Sequence, residues 1–228
     1  MDTYRRSAIY VGVFFLIAMV TYLVGATMIE SVLGAPDYLA SVSSNQTLVV
    51  LGVLLELINC LAVLGIAVTT YPIFSKYYPA LAMGYVAFRI VEVAVIVISA
   101  LSPLVVLSLG AEYLSAGTGD AAQFQSLGGV LISARANLTG LLLTVFFSLG
   151  ALMFYYFLYQ SRLVPRWLSG WGLLGAVLVL LWNLLEAFGI SISAGLIFGL
   201  PIILNEITLG IWLIAKGFNP AAIENLSA

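Results

Sequence analysis

Six long apolar runs constrain the fold more strongly than any other feature of this sequence. A helix needs about 20 apolar residues to cross the hydrocarbon core of a bilayer. Six stretches reach that length, at approximately residues 7–28, 48–71, 79–107, 137–159, 167–188 and 194–215. We therefore predict an all-α fold: a polytopic membrane helical bundle with six transmembrane helices, which forms a single transmembrane domain over residues 1–228.

The composition supports the same class of protein. Hydrophobic residues make up 63% of the chain and charged residues 8%, whereas about a quarter of the residues in a soluble domain are charged. Too few charged side chains are present to cover a globular surface in water, so membrane lipid is the expected partner. The sequence has no basic run of the kind that binds nucleic acid, and we predict no nucleic-acid partner.

The distribution of basic residues predicts the orientation. If the N-terminus lies inside, six basic residues fall on the cytoplasmic side, in accordance with the positive-inside rule: Arg5, Arg6, Lys76, Arg162, Arg166 and Lys216. We therefore predict that both termini are cytoplasmic and that the chain is a multi-pass protein of the cell (inner) membrane. Residues 30–47 and 110–136 become outer connectors. The first is expected to be a loop because it contains Gly34 and Pro36, with a loop that includes a short interfacial turn as the alternative.

Arg89 is the basic residue that lies deepest inside an apolar run. A charge near the bilayer centre costs several kcal/mol unless polar groups surround it. Glu92 shares a helix face with Arg89 because the two are three residues apart. Glu56, Glu186 and Glu206 each lie inside another apolar run. At 1.5 Å per residue, Arg89 and Glu206 both lie about 15 Å from the inner ends of their helices. We expect the four glutamates to converge on Arg89.

Asparagine side chains lie close in the sequence to three of these acids. Asn59 is three residues after Glu56, Asn183 is three residues before Glu186, and Asn205 adjoins Glu206. Polar groups at overlapping depths on several helices indicate one shared interior site. We predict a ligand-binding site formed by eight residues: Glu56, Asn59, Arg89, Glu92, Asn183, Glu186, Asn205 and Glu206.

Charge counting indicates what such a site would bind. The four intramembrane glutamates have two arginines as partners, Arg89 and Arg135, and Arg135 is expected to lie at a depth where it reaches Glu186. Two negative charges remain if every carboxyl is ionised, and like charges in a medium of low dielectric oppose ionisation. We therefore predict that at least one glutamate is protonated at neutral pH or that a cation is bound.

Three functional hypotheses follow. The first is a protein that binds or transports a proton, a cation or a small polar solute. The second is an accessory or sensory membrane protein that performs no transport and whose buried charges only fix helix register. An intramembrane enzyme is the weakest hypothesis, because the chain has no histidine, no activated nucleophile and no convincing metal ligand set. The sequence identifies no catalytic residue, no metal site and no cofactor, and it leaves the solute and homo-oligomerisation open.

One stretch also carries a family resemblance. Residues 158–172 read Leu-Tyr-Gln-Ser-Arg-Leu-Val-Pro-Arg-Trp-Leu-Ser-Gly-Trp-Gly, and Leu200-Pro201, Glu206, Trp212 and the ending 216–220, Lys-Gly-Phe-Asn-Pro, follow in the last helix. These residues resemble the bacterial and archaeal membrane family known as domain of unknown function 4386, and the length and six-span plan agree with it. The resemblance implies a polytopic membrane protein. It assigns no activity, so it gives no residue a functional role.

Overall fold

The computed structural model describes residues 3–116, 121–190, 192 and 195–227. Within these residues the chain forms nine α-helices, with one π-helical turn at Leu138–Leu142 and no β-strand. The α-helices are α1 (Thr3–Leu33), α2 (Tyr38–Ser44), α3 (Gln46–Tyr77), α4 (Pro79–Ala116), α5 (Ala121–Asn137), α6 (Leu143–Ser161), α7 (Arg166–Ala187), α8 (Gly195–Ala215) and α9 (Pro220–Ser227).

The prediction of an all-α bundle with six membrane-spanning helices is confirmed. Six helical segments of the described chain are long and apolar enough to cross a bilayer, and the fourth of them is the continuous helix that α5, the π-helical turn and α6 form together. Helices α1, α3 and α4 contain 31, 32 and 38 residues. At 1.5 Å per residue they are roughly 47 to 57 Å long, well beyond the hydrocarbon core of about 30 Å. These helices therefore extend past the membrane.

One end of the bundle is covered by α2, α5 and the last turns of α4, and we call it the cap end. The prediction of a loop over residues 30–47 is wrong, because α1 continues to Leu33 and α2 occupies Tyr38–Ser44. The Asp37 carboxylate accepts a hydrogen bond from the Ala40 amide and caps α2. The polar residues of this stretch belong to a short amphipathic helix, which the sequence pattern did not indicate. Its apolar residues Leu39 and Val42 pack in a small core with residues of neighbouring helices: Ile29, Val32, Val49 and Val106. Residues 117–120 of the second connector lie outside the described part.

The first turn of α1 and the end of α8 lie together at the opposite end of the bundle, which we call the basic end. The Arg5 guanidinium on α1 donates hydrogen bonds to the carbonyls of Leu213, Ile214 and Ala215 at 3.1, 2.7 and 3.3 Å. The Leu213 carbonyl also accepts a hydrogen bond from the Gly217 amide at 3.1 Å, and Arg5 supplies a donor to the carbonyls of Ile214 and Ala215 at the end of the helix. Gly217 then turns the chain with a φ of 76°, a conformation that suits glycine.

Close contacts between glycines hold α1 against its neighbours. A Cβ atom at Gly12 would lie 2.6 Å from the Gly210 carbonyl oxygen of α8, and one at Gly25 would lie 2.8 Å from the Gly52 oxygen of α3. Small residues allow membrane helices to approach this closely. The main apolar core lies in the half of the bundle near the basic end, where the rings of Phe74 and Phe157 stack with centroids 3.6 Å apart.

Candidate functional site

A buried ion pair between Arg89 and Glu92 lies on one face of α4. The Arg89 Nη1 donates to Glu92 Oε2 at 2.8 Å and to Oε1 at 3.1 Å. The guanidinium carbon is 5.3 Å from the centre of the Tyr85 ring and 5.6 Å from that of Phe147 on α6. A Cβ atom at Gly150 would lie 3.5 Å from Arg89 Nε, so the arginine side chain passes over that glycine. Arg89 is thus held where α4 meets α6.

Glu206 of α8 joins this pair from a third helix. Its carboxyl lies within electrostatic range of Arg89 and Glu92, and within the described residues it makes no hydrogen bond or ion pair. Tyr85 and Tyr155 also lie within electrostatic range of Glu206. We call these five residues, Tyr85, Arg89, Glu92, Tyr155 and Glu206, the Arg89 cluster. Glu206 lies about 15 Å from either end of α8, near the middle of the span.

The Arg89 cluster contains buried polar atoms without a hydrogen-bond partner in the described part of the chain. They are the hydroxyls of Tyr85 and Tyr155 and the Nε of Arg89, although the Tyr85 side chain also interacts electrostatically with the Arg89 guanidinium. The Tyr155 ring packs directly over Gly172 of α7, which fixes where its hydroxyl points. An unsatisfied buried donor costs about 1–3 kcal/mol. Such groups gathered at one place therefore favour water or a ligand as their partner.

A second buried cluster surrounds Arg135 nearer the cap end. Its Nη2 donates to Glu56 Oε1 at 2.5 Å and its Nη1 to Glu56 Oε2 at 3.3 Å, while its Nε donates to Glu30 Oε1 at 3.2 Å. The Ser99 carbonyl accepts a further hydrogen bond from Nη1 at 3.1 Å. Arg135 and Glu56 are buried, whereas the Glu30 side chain is 58% exposed. We call Glu30, Glu56 and Arg135 the Arg135 cluster.

Tyr22 and Cys60 lie between the two clusters. Tyr22 of α1 is within electrostatic range of Glu56, Arg135 and Glu92. Cys60 of α3 is within range of Glu56 and Glu92. Both side chains pack in a small apolar cluster with Val95 and Ile96 of α4, so they lie near acids of both clusters.

A comparison with protein families identifies the chain. The model of a domain of unknown function, DUF4386, matches residues 10–217. The chain belongs to the DUF4386 family. The match contains both clusters and runs from α1 to the end of α8. No curated protein and no solved structure matches this chain. Membership of DUF4386 agrees with the resemblance seen in the sequence and brings no activity with it.

Two of the predicted ion pairs are wrong in this DUF4386 protein. Glu56 was expected at Arg89, but it binds Arg135. Arg135 was expected at Glu186, but Glu186 is exposed near the end of α7 and makes no ion pair within the described residues. The prediction lacked Glu30, because α1 was expected to end before it and in fact continues to Leu33. The longer helix places a second carboxylate beside Arg135.

The three predicted asparagines make hydrogen bonds to backbone carbonyls. The Asn59 side-chain amide donates to Ala18 at 2.8 Å, the Asn205 amide to Leu168 at 2.8 Å, and the Asn183 amide to Val179 of its own helix at 3.1 Å. The first two join α3 to α1 and α8 to α7. The side-chain oxygens of Asn59 and Asn205 are buried without a partner in the described chain. Both residues hold helices together and retain one free acceptor.

Sequence reasoning missed the tyrosines. Tyr85 precedes Arg89 by four residues and therefore shares its helix face, which was a usable signal. Tyr22 and Tyr155 reach the clusters from other helices, and their spacing in the sequence carries no such information. In the described part of the chain no group of three or more acidic or cysteine side chains is placed to hold a metal ion.

Proposed function

We propose that this protein binds a proton, a small cation or a small polar solute at the Arg89 cluster and carries it across the membrane. Glu206 is the group that binds it. The observation that carries the proposal is the position of the Glu206 carboxyl, which is half-buried near the middle of its span, within electrostatic range of an arginine already paired with Glu92, and has no ion pair of its own within the described residues.

The charges of the Arg89 cluster explain why it would attract a cation. Two carboxyl groups, of Glu92 and Glu206, face one guanidinium, that of Arg89. One negative charge therefore lacks a partner when both acids are ionised. An unpaired charge away from water is costly, so a proton or a cation at Glu206 would neutralise it favourably. Ionisable side chains at this depth are typical of proton and ion pathways.

The unpaired donors of the Arg89 cluster widen the range of suitable ligands. The Tyr155 hydroxyl has no partner within the described chain and lies within electrostatic range of Glu206. Hydroxyl groups both donate and accept, so they suit water molecules that relay a proton as well as the polar atoms of a small solute. A ligand with a positive group for Glu206 and an acceptor for Arg89 would satisfy both sides of the cluster.

We also propose a route from the cap end to the Arg89 cluster, which transport would need and binding alone would not. Tyr22 and Cys60 lie between the Arg89 cluster and the Arg135 cluster, and the Glu30 carboxylate is exposed beyond them. We further propose that the protein lies in the cell membrane with the basic end in the cytoplasm, since the positive-inside rule favours that orientation. The route would then lead from the outside to a site near mid-membrane.

Flux through proteoliposomes tests the proposal. Purified protein is reconstituted into vesicles that contain a fluorescent dye selective for H⁺, Na⁺ or K⁺, and a gradient of the matching ion is imposed on each preparation. We expect a flux of at least one of these ions that Glu206→Gln abolishes, because the amide keeps the shape of the side chain without its charge. Glu186→Gln is the matched control, since it removes an exposed carboxyl that takes part in neither cluster. Equal fluxes in the wild type and Glu206→Gln would disprove the role of Glu206.

One observation favours the accessory or sensory alternative. The Arg135 guanidinium donates four hydrogen bonds, to Glu56, Glu30 and the Ser99 carbonyl, and such an arrangement suits a purely structural role in holding helices together. If the Arg89 cluster serves the same purpose, the protein would carry no ion. A partner that co-purifies equally with the wild type and with Glu206→Gln, in the absence of any ion flux, would favour this alternative.

A further inference from the structure

A cleft on the basic end of the bundle lies apart from both buried clusters. Its volume is about 580 Å³. One wall is the turn between α6 and α7, residues 162–166, and the other is the end of α8 with residues 216–220. We call it the basic cleft.

Three cationic side chains line the basic cleft. Arg162, Arg166 and Lys216 are exposed, and none of them makes an ion pair within the described chain. The described lining contains no aspartate or glutamate. Arg166 also lies over the Tyr159 ring, 5.0 Å from its centre. Three cationic residues around one cleft whose described lining holds no acid produce a positive local field that attracts an anion.

Hydrogen bonds between its walls hold the basic cleft in shape. The Asn219 backbone amide donates to the Leu163 carbonyl at 2.8 Å, and the Asn219 side-chain amide donates to the Arg162 carbonyl at 3.4 Å. Leu163, Val164 and Phe218 are buried in the main apolar core. The cleft is therefore preformed, so a ligand would not need to order its walls.

Arg162 has an unusual backbone conformation at the edge of this cleft. It ends α6 with a φ of 54° and a ψ of 26°, and it is the one non-glycine residue with positive φ in the described chain. Glycine is the residue usually found in this left-handed conformation at a helix end. Most other residues are disfavoured there because Cβ approaches the following carbonyl. An arginine at this position indicates that its side chain is needed in the cleft.

Tryptophans place the basic cleft at the depth of lipid headgroups. Trp212 lines the cleft, and the ring of Trp167 is 6.4 Å from it between centroids. Trp171 stacks on Trp167 at the same centroid distance of 6.4 Å. Tryptophan concentrates at the level of the headgroups in membrane proteins. An anion that reaches the cleft at this level is most readily supplied by the bilayer.

We propose that the basic cleft binds the phosphate of an anionic phospholipid headgroup. The guanidinium groups of Arg162 and Arg166 donate paired hydrogen bonds to the phosphate oxygens, since their planar donors match that geometry. Lys216 contributes a further positive charge. Basic sites between membrane helices at the headgroup level recognise anionic headgroups through the same chemistry.

The positive-inside rule alone does not account for this site. That rule places basic residues at one end of the bundle, as it does Arg6 and Lys76, but it does not require them to converge. Three cationic residues line the basic cleft, and its described lining contains no acid. One of them also keeps a disfavoured backbone conformation. Both features are explained by an anionic ligand.

Lipid binding by purified protein tests the proposal. Phosphatidylglycerol or phosphatidylcholine is added to the protein in detergent, and the bound lipids are counted by native mass spectrometry. We expect phosphatidylglycerol to bind in preference. The variant Arg162→Gln/Arg166→Gln should weaken that binding by roughly fivefold or more for each arginine, the usual contribution of a basic residue near an anionic lipid surface. The control Arg6→Gln/Lys76→Gln removes the same charge from the same end outside the cleft and should have little effect.

Two further experiments test whether the Arg162 side chain is needed for lipid binding and whether the ligand is a lipid or a soluble phosphate. Glycine favours the Arg162 conformation, so Arg162→Gly should keep or raise the melting temperature and still lose phosphatidylglycerol; unchanged lipid binding in this folded variant would overturn the proposal. Inorganic phosphate and glycerol phosphate are added as competitors, and we expect them to compete weakly. If they displace the lipid at equal concentration, the cleft binds soluble phosphates and the lipid assignment is wrong. An equal loss in the cleft variant and in the Arg6/Lys76 control would also refute it.

Discussion

Arg135 and Glu56, which are 79 residues apart in the sequence, form a buried bidentate ion pair between the fourth and second membrane spans. Glu30 of α1 accepts a third hydrogen bond from the same guanidinium. Three separate spans are thereby joined near the cap end. The arrangement has two acids and one base, as the Arg89 cluster does. In the Arg135 cluster, however, the second carboxylate is exposed to solvent and its charge is hydrated.

Breaking the Arg135–Glu56 pair should destabilise the protein. Glu56→Leu leaves the Arg135 charge buried without its main partner, which costs roughly 3–5 kcal/mol. The melting temperature of the purified protein in detergent measures this loss. Glu30→Leu is the control, because an exposed ion pair contributes about 0–1 kcal/mol. The double variant Glu56→Leu/Arg135→Met should recover much of the stability. Equal losses for Glu56→Leu and Glu30→Leu would show that the buried pair does not stabilise the bundle.

Gly172 should tolerate no larger residue. A Cβ atom there would overlap the Tyr155 ring, whereas at Gly170, two residues earlier on α7, the nearest atom would lie 4.0 Å away. We expect Gly172→Ala to cost about 1–3 kcal/mol through overpacking and to displace Tyr155 from the Arg89 cluster. Gly170→Ala should change the melting temperature little. If both variants unfold at the same temperature, α6 and α7 do not pack as closely as described.

Hydropathy predicted the spans, and helical spacing predicted the Arg89–Glu92 pair. Both are local signals: twenty apolar residues suffice to span a bilayer, and residues three apart share a helix face. The pairing of Glu56 was not predictable in this way. Hydropathy gives the depth of a residue and leaves the rotation of its helix undetermined, so Glu56 was assigned to Arg89 from depth alone. In the structure the rotation of α3 directs Glu56 to Arg135.

The lengths of the helices and the π-helical turn could not be predicted from the sequence patterns either. α1 runs to Leu33 and α4 to Ala116, because packing at the cap end stabilises turns outside the bilayer that hydropathy does not detect. The π-helical turn at Leu138–Leu142 joins α5 to α6 without interrupting the helix. Such a turn changes the angular relation between Arg135 and the residues of α6. A prediction that assumes regular α-helix throughout therefore misplaces Arg135.

Chemical labelling of single introduced cysteines tests the proposed orientation in the membrane. Asn45 is exposed at the cap end between α2 and α3, and Lys76 is exposed at the basic end of α3. A membrane-impermeant maleimide added to intact cells should label Asn45→Cys and leave Lys76→Cys unlabelled until the membrane is opened. The native Cys60 is buried and should contribute little background. The reverse pattern would place the basic end outside and contradict the orientation that the positive-inside rule favours.

The last prediction concerns the Tyr22 hydroxyl, which lies between the two buried clusters. Tyr22 is within electrostatic range of Glu56 and Glu92, so its hydroxyl is placed to relay protons or to hold water between them. Tyr22→Phe removes only that oxygen. We expect the ion flux in proteoliposomes to fall about tenfold or more, because one proton-transfer group typically contributes at least that factor. The melting temperature should stay the same. Tyr10→Phe on the same helix is the control, because Tyr10 is exposed on the outside of the bundle. An undiminished flux in Tyr22→Phe, alongside a flux lost in Glu206→Gln, would mean that ions reach the Arg89 cluster by a route that bypasses Tyr22 and the Arg135 cluster.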